Sequence, residues 1–222
     1  CGGGGSGGST GPSGPPPPKP PTANCTPTAA SPTIVSVKDA AYGAKGDGAT
    51  DDTAAIQKAV DFIGGTGGTV SIPAGTYMVN ALTSIQMKGN MTLSFASGAT
   101  LKAIPNSSAN YTIVRISGVS NVNVVGAAPL GGTLLGERGA HTGTSGEQGM
   151  GLRITGNAAH IAVVGITAKE CWGDGFTVAD ANDVTLCNVT ADHNRRQGLS
   201  ITGGDGIVVK NSSFNNSKGT IP

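Results

Sequence analysis

Downstream of residue 90 the chain runs in short segments where apolar and polar side chains alternate, each closed by a turn. Such alternation marks strands with one face turned inward and the other outward. The segments recur as a unit. "GLRITGNAAHIAVVGITAKECWGD" opens at Gly151, "GFTVADANDVTLCNVTADHNRRQ" at Gly175 and "GLSITGGDGIVVKNSSFNNSK" at Gly198, and the next glycine of the set is Gly219, giving spacings of 24, 23 and 21 residues. Two sets of apolar pairs keep register through the units: Leu152/Ile154, Phe176/Val178 and Leu199/Ile201, then Ile161/Val163, Val184/Leu186 and Ile207/Val209. No unit can bury its apolar face alone, whereas stacked units share one continuous core. The leucine and asparagine spacing of leucine-rich repeats is missing, so the pattern predicts an all-β solenoid, a parallel β-helix.

One segment near the front has a different period. Ala55, Ile56, Ala59, Val60 and Ile63 form an apolar stripe at helical spacing, with Gln57, Lys58 and Asp61 opposite. Thr50 or Asp51 is placed to cap this helix, Asp51 and Asp52 suit the positive end of its dipole, and Gly64-Gly65 is placed to stop it. A strand and turn are expected before it and a strand after it.

Composition changes the picture mainly at the N-terminus. Residues 1–32 hold nine of the thirteen prolines and a single charge, Lys19. Such a segment cannot bury enough apolar surface to offset its ordering entropy, and reads as a disordered Gly/Ser/Pro-rich tether. The folded domain is then 33–222. With Lys19 set aside, it carries thirteen of the fourteen basic residues against thirteen acidic ones, a formal balance of zero. That argues against a nucleic-acid partner, which calls for a basic surplus. No apolar run reaches the roughly 18 residues of a membrane helix. The start at Cys1, followed by Gly2 and the tether, resembles a mature bacterial lipoprotein. The resemblance implies lipidation of Cys1, export, and an outer-membrane or cell-surface location with no other membrane contact. Cys25, Cys171 and Cys187 are odd in number and widely spaced, form no zinc pattern or disulfide framework, and are expected to be idle thiols.

"YGAKGDGATDDTAAIQKAV" followed by "GGTVSIPAGTYMV" resembles the N-terminal region of the pectate-lyase-like superfamily, including its rhamnogalacturonase/epimerase-like members. The resemblance implies a right-handed parallel β-helix whose single α-helix covers the open N-terminal end, with the cap at about 33–80 and coils at 81–222. "KDAAYGAKGDG" holds one extra residue before the tyrosine. The same cap precedes hydrolases, lyases, epimerases and tailspikes, so it implies fold rather than reaction. The aspartates of "GDGATDD" lack the spacing of a calcium loop, and no metal or cofactor is expected.

Candidate chemistry appears when units are aligned on their apolar pairs. Glu170 then falls over His193, Cys171 over Asn194, Trp172 over Arg195, Gly173 over Arg196, and Asp174 over Gln197. Aligned residues of neighbouring coils lie about 4.8 Å apart, so "ECWGDG" and "DHNRRQG" become two rungs of one polar stripe. Trp172 offers a ring for stacking on a sugar, Arg195 and Arg196 offer forks for carboxylates or sulfates, and Asp192 and Gln197 complete the substrate contacts. The architectural alternative packs Trp172 at a corner beneath Arg195 and places Asn194 in an internal turn. Asn194 is assigned to architecture. The loop "GERGAHTGTSGEQGMG", 136–151, interrupts the repeat with Glu137, Arg138, His141 and Glu147 and is placed to fold over the stripe. Loop and stripe together resemble a subgroup of carbohydrate-active or tailspike-like β-helix proteins.

These parts point to cleavage of an acidic polysaccharide. β-Elimination would use His193 as base, Arg195 or Arg196 as the neutralising cation and Asp174 as the orienting group. Hydrolysis would draw two carboxyls from Asp174, Glu170, Asp192, Glu137 and Glu147. The paired-aspartate and Gly-His-Gly motifs of polygalacturonases and the Asp-Pro-His motif of alginate epimerases are missing. The alternative is a non-catalytic glycan-binding or adhesive surface protein. The chain stops within a repeat, so further coils are expected beyond Pro222, or a homo-oligomer covering an uncapped end.

Overall fold

The computed structural model describes Cys25 and residues 32–129 and 131–218. The rest of the tether, with Cys1 and its expected lipid, and the repeat glycine Gly219 lie outside the described residues. From residue 110 onward each coil contributes one strand to each of three parallel sheets. The first sheet stacks Ile34–Ser36, Gly68–Ile72, Met91–Phe95, Ser120–Gly126, Ala159–Val164, Ala181–Cys187 and Gly204–Lys210. The second stacks Asp47–Asp51, Gly75–Val79, Ala99–Ala103, Gly132–Leu135, Ile166–Lys169, Thr190–Asp192 and Ser213–Asn215. The third has Ile85–Gln86, Asn110–Ser117, Gln148–Thr155, Phe176–Val178 and Leu199–Ile201. This is the right-handed parallel β-helix that the repeat and the resemblance implied.

The alternation in sequence becomes columns of like residues. In the first sheet Val70, Leu93, Val124, Val163 and Leu186 stand one above another, all fully buried. In the third, Ile85, Val114, Leu152 and Phe176 do the same. Burying each such side chain contributes roughly 1.5–3 kcal/mol, so every coil is stabilised chiefly by its neighbours. In the last described coil apolar columns of all three sheets reach solvent, at Ile201, Val209 and Phe214, which are 49%, 38% and 40% exposed.

Sharp bends between strands fall in register too. Asn90, Asn121, His160 and Asp183 share one left-handed bend position, with φ between 49° and 59°. Glu170, His193 and Asn216 share another, at the exit of the second sheet, with φ of 54°, 53° and 50°. Asparagine and histidine tolerate this conformation better than most residues. Glu170 is the unusual occupant.

The α-helix, α1, spans Thr53–Thr66 and lays Ile56, Ala59, Val60 and Ile63 on the first coil, against Gly68–Ile72 and Ile85–Gln86. Its ends differ from expectation. The N-cap is Asp52, whose side chain makes no cap bond. That buried carboxylate turns back to accept the amides of Lys45 (2.6 Å) and Gly46 (2.9 Å), tying the preceding loop to the helix start. Gly64 and Gly65 do not stop the helix; it ends at Gly67, which has φ 76°. Gly64 is there for space, since a Cβ would collide with the side chain of Lys88. Asp47 accepts bonds from the amides of Thr50 (2.8 Å) and Ala49 (2.9 Å), which lower its pKa to about 2. The aspartates of "GDGATDD" are thus occupied in local turns, and Asp47–Asp51 is a strand that the sequence pattern did not reveal.

The cysteine reading needs correction. Cys25 is disulfide-bonded to Cys187, 162 residues away, with Cα atoms 5.6 Å apart. Spacing along the chain could not reveal this pair, because stacking of coils sets the distance between the tether and the end of Ala181–Cys187. Cys171 is the free, buried thiol. Burial, reinforced by the charge of Asp174, pushes it well above the usual thiol range, so it is inert.

Candidate functional site

The predicted stripe exists in the predicted register. Thr167, Ala168 and Lys169 pair with Thr190, Ala191 and Asp192, and Phe176 pairs with Leu199. Between them Arg195 N donates to Cys171 O and Arg196 N to Gly173 O, which stacks "ECWGDG" directly under "HNRRQG". Asn194 is architectural, as expected. It is fully buried, accepts the Cys171 amide at 3.0 Å and donates to Ala168 O at 3.1 Å.

The interrupting loop is shorter than its sequence suggested, because Gln148–Thr155 is already a third-sheet strand. What remains, 136–147, folds over the stripe and is tied to it at several points. Arg138 Nη1 donates to His193 O at 2.6 Å, and Arg195 Nη1 donates to Gly146 O at 2.8 Å. Glu137 and His141, expected to touch substrate, are instead sealed beneath the loop, with both side chains fully buried and Oε1 and Nδ1 2.8 Å apart. A short 3₁₀ turn, Arg138–Ala140, brings this pair together. Beneath it lies Tyr111, whose hydroxyl accepts the Trp172 amide at 3.1 Å and is pushed well up by burial and by the charges of Cys171 and Glu137.

Trp172 is not an open platform. His141 stacks on one face at 3.9 Å and 17°, and the Arg195 guanidinium lies 3.9 Å from the ring centroid. A flat ring has two faces, and both are taken. The corner alternative therefore describes Trp172 and Arg195, and the reading of Trp172 as a sugar-stacking residue is replaced. Glu147 lies 3.8 Å from Arg195, a long and partly exposed ion pair.

The remaining polar residues form two groups on either side of this lock. At the bend, Asp192 Oδ2 holds His193 Nδ1 at 2.8 Å, and Asn216 donates to Asp192 Oδ1 at 2.8 Å. The Asn216 bond, then His193, holds the Asp192 carboxyl below its ordinary value. The imidazole is 54% exposed, so Nε2 faces outward. Asp192, not Asp174, orients His193. Lys169 is the rung neighbour of Asp192, and Glu170 precedes the lock on the adjacent rung.

Asp174 belongs to the other group, at the entrance to the third sheet. Its side chain is fully buried, with Oδ1 3.3 Å from Arg196 Nε and Oδ2 accepting from Ser200 (2.7 Å) and Thr177 (3.4 Å). Burial raises its pKa, and Ser200, Arg196 and Thr177 only partly offset the rise. Gln197 closes this cluster through Ser200 and is itself exposed. The carboxyl cannot touch a ligand directly. It fixes Arg196 by its Nε and leaves the terminal nitrogens available.

Two residues of this face escaped the sequence reading. Arg115 and Arg153 stand in register on adjacent third-sheet strands. The signal was legible as "VRISG" at 114–118 and "LRITG" at 152–156. The inserted loop stretched the spacing of this pair beyond the regular repeat and hid it. Eight buried side-chain polar atoms lack a hydrogen-bond partner among the described residues, and all but Ser217 Oγ lie on this sheet or beneath the loop beside it. The unsatisfied buried polar atoms are therefore concentrated on one side of the solenoid. Concavities elsewhere, one beside α1 lined by Asp51, Gln57 and Asn80 and one lined by Pro129, Thr167 and Asn188, contain no histidine, lysine or arginine.

Comparison with known proteins agrees with this architecture. Residues 34–130 match the family described as rhamnogalacturonase A/epimerase, pectate lyase-like. An exo-poly-α-D-galacturonosidase of Dickeya chrysanthemi is 43% identical over 81 residues, covering 36% of this chain and 12% of that protein. The plasmin and fibronectin-binding protein A of Streptococcus pneumoniae is 31% identical over 186 residues, covering 82% and 24%. Among solved structures, the A-module of the Azotobacter vinelandii mannuronan C-5 epimerase AlgE6 superposes with a TM-score of 0.63 at 25% identity, covering 80% of this chain and 55% of that one. The chain spans a third or less of the length of the curated relatives it matches. Polysaccharide-acting hydrolases and epimerases are among these similar proteins. The cap and first coils, residues 34–130, are thus similar to the rhamnogalacturonase A/epimerase, pectate lyase-like family, within a right-handed parallel β-helix.

Proposed function

We propose that the chain acts on an acidic polysaccharide laid against the third sheet and its entrance turn, by proton transfer at a uronate rather than by two-carboxyl hydrolysis. The reading rests on two groups three residues apart in the chain: the exposed imidazole of His193, oriented by Asp192, and Arg196, held from behind by Asp174. Hydrolysis needs two carboxyls flanking the scissile bond. Asp174 is sealed beneath Arg196, and Glu137 is sealed under the loop. Asp192 is committed to His193 and Asn216, which leaves Glu170 and Glu147 as the accessible carboxyls for hydrolysis. Elimination needs a base and a cation, and His193 and Arg196 are both partly exposed.

In this reading His193 Nε2 takes the proton from C5 of the uronate, and Asp192 fixes the ring with Nδ1 turned inward. The C5–H electron pair forms the C4–C5 double bond, and the C4–O bond leaves with its own pair and takes up a proton from water. Arg196 lowers the cost of charge developing on the uronate carboxylate. Asp174 acts through Arg196 as a positioning residue. The Cys25–Cys187 disulfide supports export, since such bonds persist in oxidising compartments. An exported chain fits an extracellular polysaccharide as substrate.

A second reading, glycan or protein binding without turnover, is favoured by the similarity to the pneumococcal binding protein. The chain, incubated with a panel of acidic and neutral polysaccharides, separates these possibilities. Ultraviolet absorbance from unsaturated uronates appearing with new reducing ends is the expected result. Reducing ends alone would replace elimination by hydrolysis, and binding with neither signal would establish the second reading.

A further inference from the structure

Arg115 and Arg153 pair as Cα partners across adjacent third-sheet strands, in a column that runs Gln86, Arg115, Arg153, Thr177, Ser200. Neighbouring rungs lie about 4.8 Å apart. Two like charges at that distance repel, and stacks of this kind are normally relieved by an acid between or beside them. Here no acid is paired with either arginine among the described residues, and the carboxylate beside the column, Asp174, is held by Arg196. The ion pairs of the described residues do not include either arginine, and each has its Nε buried without a hydrogen-bond partner. Both side chains are partly exposed, so the guanidinium ends lie at the surface while the stems are packed into the sheet. The rest of the column is neutral. Beyond Arg153, Thr177 and Ser200 turn their hydroxyls to Asp174, whose carboxylate is committed to Arg196.

We infer that Arg115 and Arg153 form an oxyanion subsite for the acidic group of a sugar, a uronate carboxylate or a sulfate ester. Stacked forks offer parallel N–H donors to a planar or tetrahedral oxyanion, in a geometry that lysines would not reproduce. A bound anion at the exposed guanidinium ends supplies the missing counter-charge. The subsite rests on the polysaccharide reading above and extends it. Arg196 lies two coils further on, in the turn that leads into Leu199–Ile201, so a glycan crossing this face can meet both the arginine pair and Arg196. The ligand chemistry follows: a glycan with acidic groups on neighbouring units is preferred to its neutral counterpart.

The test measures binding by calorimetry, with oligogalacturonate, a sulfated galactan oligosaccharide and carboxyl-reduced oligogalacturonate as probes. Wild type should bind one or both acidic probes, with affinity falling as salt rises, and the reduced probe at least tenfold more weakly. Arg115→Gln and Arg153→Gln should each weaken acidic binding about tenfold, and the double variant should lose it on the order of a hundredfold. Which acidic probe suffers identifies carboxylate or sulfate as the natural group. Arg115→Lys with Arg153→Lys, keeping charge but not the fork, should recover only part of the loss. Unchanged acidic binding in the double Gln variant would overturn the subsite while leaving the polysaccharide reading intact. Equal binding of the reduced probe would overturn it as well. A double variant that loses acidic binding in a protein without turnover supports the subsite and removes only the elimination chemistry. Melting temperatures at or above wild type are expected, because substitution removes a repulsion, and a variant that does not fold is replaced by its Lys counterpart in the same assay.

Discussion

Arg195 and Arg153 are both arginines on the same side of the solenoid, yet their surroundings differ completely. Arg195 lies over the face of Trp172, donates to the carbonyl of Gly146 and has Glu147 nearby. Arg153 has another arginine as its rung neighbour and an Nε with no partner. The first environment is closed: an aromatic face, a carbonyl and a carboxylate account for the charge, so nothing remains to recognise a ligand. The second is open in the sense that matters for binding, because charge and donors are left over. The contrast teaches that a polar, aromatic-rich cluster can be the stitching of a fold, and a quiet pair of arginines on a flat sheet can be its binding surface. Uncompensated capacity separates the two better than residue type.

The largest effect is expected at the bend on the other side of the lock from Arg153. Replacing His193 by Gln should lower turnover about 10²–10⁴-fold, the range for removing a general base, with acidic-glycan affinity held within about threefold. Steady-state kinetics on the polysaccharide that wild type cleaves, with calorimetry on the same variant, checks this. Turnover that survives the substitution would move the chemistry away from Asp192–His193 and toward Arg196.

Next comes the closed region itself. Trp172→Ala removes the ring sandwiched between His141 and Arg195. The loss should destabilise the fold by about 2–4 kcal/mol, since burial, ring stacking and the cation contact go together. Loop 136–147 should also become a site of limited proteolysis. Chemical unfolding and protease mapping measure both. If instead stability is kept and glycan binding collapses, the ring is a ligand platform after all.

Asp174 sits on the border and sharpens the comparison through pH. Burial holds its pKa above the ordinary 3.8 in the folded chain. A raised folded value means that the protonated form favours the fold, so this contribution is complete below 3.8 and is lost as pH rises through the raised value. Asp174→Asn keeps the shape and does not titrate. Its melting temperature relative to wild type should therefore climb as pH rises from about 3 toward neutrality and then level off. A structural role alone predicts that much. A positioning role adds a lower kcat with an altered pH profile, because Arg196 loses the group that aims it.

The fold was legible because its cause is repetitive. Apolar pairs such as Ile161/Val163 over Val184/Leu186 can only be buried in one register, and that register also placed Trp172 over Arg195 correctly. The single amphipathic stripe at residues 55–63 identified α1, though not its ends, because Asp52 answers to the amides of Lys45 and Gly46 rather than to the helix. The site was less legible for a different reason. Register says which residues are neighbours but not which faces are already covered, and the loop that covers Trp172 does so through Glu137 and His141, residues that look like chemistry. Arg115 and Arg153 look like nothing in particular until the sheet aligns them. The disulfide was invisible because Cys25 lies in a tether with no periodicity to place it.

The smallest effect tests whether the closed region is held by packing or by charge. Glu147 and Arg195 are 3.8 Å apart with side chains 33% and 24% exposed. Pairs of that length and exposure contribute little, because water screens them and ordering two flexible side chains offsets the attraction. Glu147→Gln should therefore change stability by no more than about 0.5 kcal/mol, and added salt should not separate variant from wild type. The ring face and the Gly146 carbonyl, Arg195's firmer contacts, survive the substitution unchanged. A loss approaching that of Trp172→Ala, diminished by salt, would mean that Arg195 is held chiefly by charge. The difference between Arg195 and Arg153 would then lie in the presence of one acid. Placing a glutamate beside Arg153 should, in that case, be enough to close the open face.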